Sequence, residues 1–323
     1  MLSLAVENLT SPVILCFALG LAAALARSDL NFPEAIAKGM SLYLLFAIGF
    51  KGGASVSTHG ADAALGMAVV AGLVLSFGLP ILAFALLRLL ARRVSETDAA
   101  AVAGHYGSIS IVTFVAASAL LAAQGLEAEG YLVAVAAAME APAIVTALWL
   151  ATRGGGAARL DAEGWREILL NGSIVLLLGA FAIGWATGDR GMAQVAPLIV
   201  TPFTGVLCLF LLDMGLVAGR GLRQARGILS PGVLAFGVIM PLVGGALGLA
   251  TGLALGLGTG GVAVMAVLAG SASYIAVPAA MRVALPQANP ALYLTLALGV
   301  TFPFNLTLGI PLWIGVATLL TGA

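Results

Sequence analysis

Apolar residues run through this chain in long blocks separated by short polar, Gly-rich or Pro-rich punctuation. Charge-free stretches cover 8–26, 63–87, 99–126, 168–188 and 191–212. Each is near or above the roughly 20 residues that a helix needs to cross a bilayer core. The longest, 227–281, has room for two crossings. The alternating segments of about ten residues that mark a transmembrane β-barrel are missing. Cutting at the punctuation predicts ten membrane-crossing helices, at about 11–26, 33–51, 62–91, 98–123, 129–152, 165–187, 194–219, 228–256, 260–284 and 289–320.

Composition agrees with a polytopic membrane protein: 61% of the 323 residues are hydrophobic and 9% charged. The net charge is zero, which points to neither nucleic acid nor an acidic surface as partner. The opening MLSLAVENLTSPV has no basic region ahead of its apolar run, so the first crossing is expected to be retained rather than cleaved. Connecting loops fall alternately on two sides. One side collects Arg27, Arg88, Arg92, Arg93, Arg153, Arg159, Arg166, Arg220, Arg223, Arg226 and Arg282 with Lys38 close by, and the other has Lys51 and Arg190. The positive-inside bias makes the arginine side cytoplasmic and puts both termini outside. Cys16 and Cys208, the two cysteines, lie in separate apolar segments without ligand neighbours, and the sequence assigns them no redox or metal role.

The chain also resembles itself. LLFAIGFKGG (44–53) aligns with FLLDMGLVAG (210–219), and GSISIVTFVAA (107–117) aligns with GSASYIAVPAA (270–280). A weaker pairing sets Met139-Glu140-Ala141-Pro142 against Phe302-Pro303-Phe304-Asn305. Two five-helix copies are predicted, residues 1–152 and 165–323, joined by a cytoplasmic linker at 153–164. An odd number of crossings per copy makes the second copy enter from the opposite face, giving an inverted repeat of the transporter type.

Within the fourth and ninth helices, GHYGSIS and GSASY are poor continuous helix, and a helix can open at membrane depth only where protein or a watery cavity receives the freed backbone groups. Half-helices restarting at about Ser108 and Ser271 would turn unpaired N–H groups and positive dipole ends toward each other. A small anion between them would meet amides and the hydroxyls of Ser108, Ser110, Ser271 and Ser273. Close packing of small residues is the competing reading, and the recurrence of Gly-Ser-x-Ser weakens it. Asp213 and Glu140 stand in apolar helices and call for a partner. Sodium suits them, with oxygens from Asp213, Glu140, Thr113, Ser110 and Asn305. A structural hydrogen bond is the alternative for either acid. Lys51 reads as a snorkelling lysine at the outer end of helix 2, and His105 as a satisfied packing residue. Tyr106 and Tyr274 flank the breaks, where they either line a cavity or fill space. No nucleophile motif or nucleotide fingerprint is present, so neither catalysis nor ATP drive is expected and an ion gradient is the energy source.

Four motifs, SLYLLFAIGFKGG (41–53), GHYGSISIVTF (104–114), GSASYIAVPAAMR (270–282) and TFPFNLTLGIPL (301–312), resemble the sodium-dependent bicarbonate transporter family. The resemblance implies an all-α fold of ten transmembrane helices in a five-plus-five inverted repeat, similar to bile-acid symporters and sodium/proton antiporters. Two discontinuous helices would cross in a core domain that moves, elevator-like, past a trimer-forming panel domain in the cytoplasmic membrane. It further implies bicarbonate as substrate at Gly107, Ser108, Ser110, Gly270, Ser271 and Ser273, with Tyr274 alongside. Sodium is the implied co-transported ion, at Asp213, Thr113 and Asn305 with Glu140 close by. A PII-like regulator binds the cytoplasmic face of some family members; the linker TRGGGAARLDAEGWRE carries no recognisable docking motif for it. The residues alone reach a small monoanion, because no intramembrane arginine is available for a larger acid or a dianion. A sodium/proton antiporter and a receptor or scaffold that has lost transport are the rival readings.

Overall fold

The computed structural model describes residues 10–59, 63–153, 166, 170, 172–224 and 229–322. The expected linker lies almost wholly outside them, as does the start expected for the sixth helix at 165. Every secondary-structure element among the described residues is helical. In chain order these are α1 (Pro12–Leu25), α2 (Glu34–His59), α3 (Ala63–Leu90), α4a (Glu96–Gly107) and α4b (Ile111–Ala123), α5a (Leu132–Ala138) and α5b (Glu140–Arg153), α6 (Gly172–Ile199), α7 (Phe203–Gln224), α8 (Pro231–Ala254), and α9a (Thr259–Ala269) and α9b (Ala276–Ala284). A last helix, α10, runs over Pro290–Thr321. Among the described residues eight helices are long and apolar enough to cross a membrane, and α1 and α9a are shorter apolar helices.

Helix starts follow local chemistry. Ser11 before Pro12, Ser230 before Pro231 and Asn289 before Pro290 each place a side-chain acceptor at the cap and a proline where no N–H is needed. Ser95 caps α4a by accepting from Asp98 N. The internal prolines include Pro80 in α3 and Pro241 in α8. A proline cannot donate to the carbonyl four residues back. For Pro241 that carbonyl is Gly237 O, which instead accepts from the Thr301 hydroxyl at 2.7 Å. Near Pro80, the Ser76 hydroxyl donates to Met139 O at 2.6 Å, where α5 is interrupted between its two pieces. Thr295–Thr301 and Asn305–Gly309 are wound as π-helix inside α10.

Two helix pairs close through glycines. Gly184 of α6 faces Phe50 O and Ala54 N of α2, while Gly20 of α1 faces Leu212 O and Leu216 N of α7. Gly53 of α2 faces Phe181 O and Trp185 N, while Gly215 of α7 faces Phe17 O and Leu21 N. Any Cβ at these four positions would fall within 2.2 Å of a backbone oxygen, so the helices touch backbone to backbone, a contact that lipid-embedded helices favour. α4a, α4b and α9a form the centre. Every residue from Ala99 to Gly107 and from Gly260 to Ala269 is buried. Large apolar side chains such as Leu19, Val74, Leu89 and Leu198 point outward, as a lipid-facing surface requires. Arg220 reaches Leu30 O and Asn31 Oδ1, and Arg223 reaches Ala24 O, so arginines from the second half join the α1–α2 loop on one face.

Three expected boundaries move. α2 continues to His59, so Lys51 lies inside the helix and not at its end. Its ammonium sits 4.7 Å from the centre of the Phe203 ring, which stands at the start of α7. The loop expected at 188–193 is a single sharp kink at Gly188, whose φ of 55° is open to glycine and strained for other residues. Before the kink α6 runs alongside α2 in the same direction, and after it the chain folds back until Leu198 O accepts from the Tyr43 hydroxyl at 2.6 Å. The seventh helix therefore begins at Phe203, later than the expected 194.

Candidate functional site

Both expected interruptions exist, and each begins at a glycine seated against a proline kink. A Cβ on Gly107 would lie 2.3 Å from Pro80 Cγ, and one on Gly270 would lie 2.7 Å from Pro241 O. Side chains at these two positions would push the kinked helices away, so the kinks and the breaks fit as pairs.

The helices restart later than the sequence suggests. The first resumes at Ile111, with Ser110 as cap, and the second at Ala276. Ser108 and Ser271 are therefore not helix starts but part of the open segments. At the first break Ser110 Oγ accepts from Thr113 N at 3.2 Å and from Thr113 Oγ1 at 2.8 Å. Ser108 Oγ donates to Glu140 Oε2 at 2.8 Å. At the second, Asn305 Nδ2 donates to Gly270 O at 2.9 Å, and the cap position Ile275 makes no side-chain hydrogen bond to α9b. The two breaks also bond to each other. Ser110 N donates to Ser271 Oγ at 2.8 Å, Ser273 N donates to His105 O at 2.7 Å, and His105 Nδ1 donates to Ser273 O at 2.5 Å.

Residues 109–111, at the start of α4b, and 273–275, just ahead of α9b, line one small cavity together with Glu140. It measures about 10 Å³, room for about one water-sized body. Tyr274 Oη is buried here beside Ser110 without a hydrogen bond of good geometry, and the ring packs edge-on against Phe302. The cavity is lined by Ile109, Ile111 and Ile275 with Ser110, Ser273, Tyr274 and Glu140, so its few polar donors are hydroxyl and carboxyl oxygens, the type a hard cation takes. Among the described residues no group of three His, Cys, Asp or Glu side chains comes together.

The structure thus gathers Gly107, Ser108, Ser110, Thr113, Glu140, Gly270, Ser271, Ser273, Tyr274 and Asn305. Asp213 is buried at 5% exposure on α7, and among the described residues no hydrogen bond joins it to this cluster. Its helix packs on α1, whose Phe17 ring meets Phe302 and through it Tyr274.

Sequence reasoning missed several supports. His105 is more than packing: its Nδ1 holds the second break, its Nε2 is buried without a partner, and its ring stacks on Tyr293 at 4.8 Å. Tyr106 bonds the Thr301 hydroxyl at 2.5 Å, which ties the first broken helix to α10 and to the carbonyl freed by Pro241. A proline paired with a polar residue four positions earlier or on a facing helix is the signal that could have led to these contacts. Lys51 lines a separate cavity of about 320 Å³ with Ser118, Glu127 and Glu129; Glu129 Oε1 accepts from Gly258 N at the start of α9a.

Residues 12–318 match the Na+-dependent bicarbonate transporter superfamily, and the chain belongs to it. It is a multi-pass membrane protein from a family that moves bicarbonate in dependence on sodium. Among curated proteins no significant match is found.

Proposed function

We propose, from membership of this superfamily, that the protein imports bicarbonate with sodium across the cytoplasmic membrane, holding the anion between the starts of α4b and α9b. The cavity bounded by both starts and by Glu140 carries this reading. Two helix N-termini supply N–H groups and positive dipole ends. Glu140 gives a reason for coupling. A carboxylate about 4 Å from an anion costs about 4 kcal/mol at an effective dielectric constant of about 20. Sodium among Glu140, Ser108, Ser110 and Thr113 cancels that repulsion, so anion and cation bind together or poorly. Asn305 braces Gly270 beside them, and Asp213 offers a second carboxylate to sodium from the α1–α7 pair.

Bicarbonate has four heavy atoms and exceeds a space for one water, so loading requires the two breaks to separate. An elevator movement of the broken helices, with α3, α5, α8 and α10, against a panel of α1, α2, α6 and α7 supplies such a change. Two sets of contacts support an inverted repeat of ten crossings: Gly20 with Leu212 corresponds to Gly184 with Phe50, and Gly215 with Phe17 corresponds to Gly53 with Phe181. This correspondence sets Gly53 opposite Gly215, one helical turn from the pairing with Gly219 that motif alignment suggests, and makes Lys51 the counterpart of Asp213. The arginine-rich face is cytoplasmic and both termini are outside. Trimerisation through the panel and inhibition by a PII-like protein are the family's expectations for assembly and control.

Flux into proteoliposomes tests the reading. Labelled bicarbonate is expected to enter only under an inward sodium gradient. Sodium-driven proton movement without bicarbonate would identify an antiporter instead, and absence of both fluxes from correctly inserted protein would rule out transport.

A further inference from the structure

Cys16 and Cys208, 192 positions apart in the sequence and one in each proposed repeat, are brought side by side. The register of α1 on α7 explains why. The helices run parallel, with Gly20 against Leu212 O and Gly219 against Leu21 O, and one turn before the Gly20–Leu212 contact stand Cys16 and Cys208. The backbone approach at Gly20 removes the side-chain layer that usually separates two helices, and it sets the two thiols on the facing sides of α1 and α7 as each other's electrostatic neighbours. Both are free and partly exposed.

We infer that Cys16 and Cys208 form a dithiol site that closes reversibly to a disulfide, stapling the first helix to the seventh. Closure breaks two S–H bonds and makes one S–S bond. The oxidant is a small-molecule disulfide: one thiolate attacks it to form a mixed disulfide and release one thiol, the other thiolate attacks that mixed disulfide, and the oxidant departs as two thiols that carry the two electrons and two protons. Both residues sit near the N-terminal ends of their helices. In the proposed orientation that is the outer face, where disulfides persist. The corresponding seam of α2 and α6 has Phe46 and Ala180 at the matching positions, so the staple belongs to one of two similar seams. The bridge closes residues 16–208, more than half of the chain, into a loop, which is the situation in which cross-links restrict the unfolded state most.

The full-length protein, purified in detergent, is treated with copper–phenanthroline, denatured and labelled with a polyethylene-glycol maleimide, and the adducts are counted on a gel. Reduced protein is expected to carry two adducts and oxidised protein none, as a monomer lighter by two hydrogens, with both thiols restored by dithiothreitol. Cys16→Ser and Cys208→Ser are each expected to keep one reactive thiol after the same treatment. Retention of both thiols by the oxidised wild type would overturn the inference. So would loss of the remaining thiol in the single variants to the same extent, or oxidation that yields only cross-linked dimers.

Discussion

The two broken helices share a Gly-Ser-x-Ser motif and a proline-kinked neighbour, yet they are finished differently. The first break is short, its restart is capped by Ser110, and its hydroxyls converge with Thr113 and Glu140 into an oxygen-rich corner. The second is longer, its carbonyl Gly270 O is held by Asn305, and α9b starts without a side-chain cap. A capped start has already spent one of its donors on its own side chain, whereas an uncapped one keeps its first amides for a ligand. On the proposed reading, two segments that share Gly-Ser-x-Ser have diverged into a side suited to a cation and a side suited to an anion.

The largest effect is expected where a break meets its kink. Gly107→Ala puts a Cβ onto Pro80 and Ala143, three contacts under 3 Å. Overpacking of this kind typically costs about 1–3 kcal/mol, and thermal unfolding in detergent should show a lowered Tm together with reduced uptake. Next comes Asn305→Leu, which leaves Gly270 O buried without its partner at a cost of about 1–3 kcal/mol. Bicarbonate half-saturation is expected to rise about tenfold, the equivalent of about 1.4 kcal/mol, with sodium half-saturation moving less. Ser110→Ala removes a cap worth about 0.5–2 kcal/mol and an oxygen from the cation corner, so half-saturating sodium should rise severalfold. Ser273→Ala should do least, within about threefold in either ion by the usual size of a weak contact. The recorded bonds of Ser273 run through its backbone N and O, which alanine keeps. A larger effect from Ser273→Ala than from Ser110→Ala would reverse the assignment of the two sides.

Much of the site was legible because its chemistry is locally improbable. Glycine and serine steps inside an apolar helix, and acids such as Glu140 at membrane depth, stand out against the lipid background, and the structure brings most of them together. What escaped lies in the relations between helices. Gly49, Gly53, Gly215 and Gly219 recur at one-turn spacing, so a motif alignment slides by a turn without loss, and only the packing partners fix the register. In the proposed repeat, that slip hid Lys51 as the counterpart of Asp213. The π-helical turns of α10, which carry Thr301 and Asn305 to their partners, have no local signature. Cys16 and Cys208 meet because of a glycine contact one turn away, which neither segment reveals alone.

The division between the two breaks is tested most directly by Glu140→Gln. The substitution keeps the shape and an acceptor for Ser108 while removing the charge that sodium is needed to balance. Bicarbonate uptake into proteoliposomes is measured over a sodium series with variant and wild type at matched insertion. Sodium stimulation is expected to fall at least about tenfold, a loss of about 1.4 kcal/mol or more of coupling. A Glu140→Gln protein whose uptake responds to sodium with the wild-type half-saturation would contradict the account.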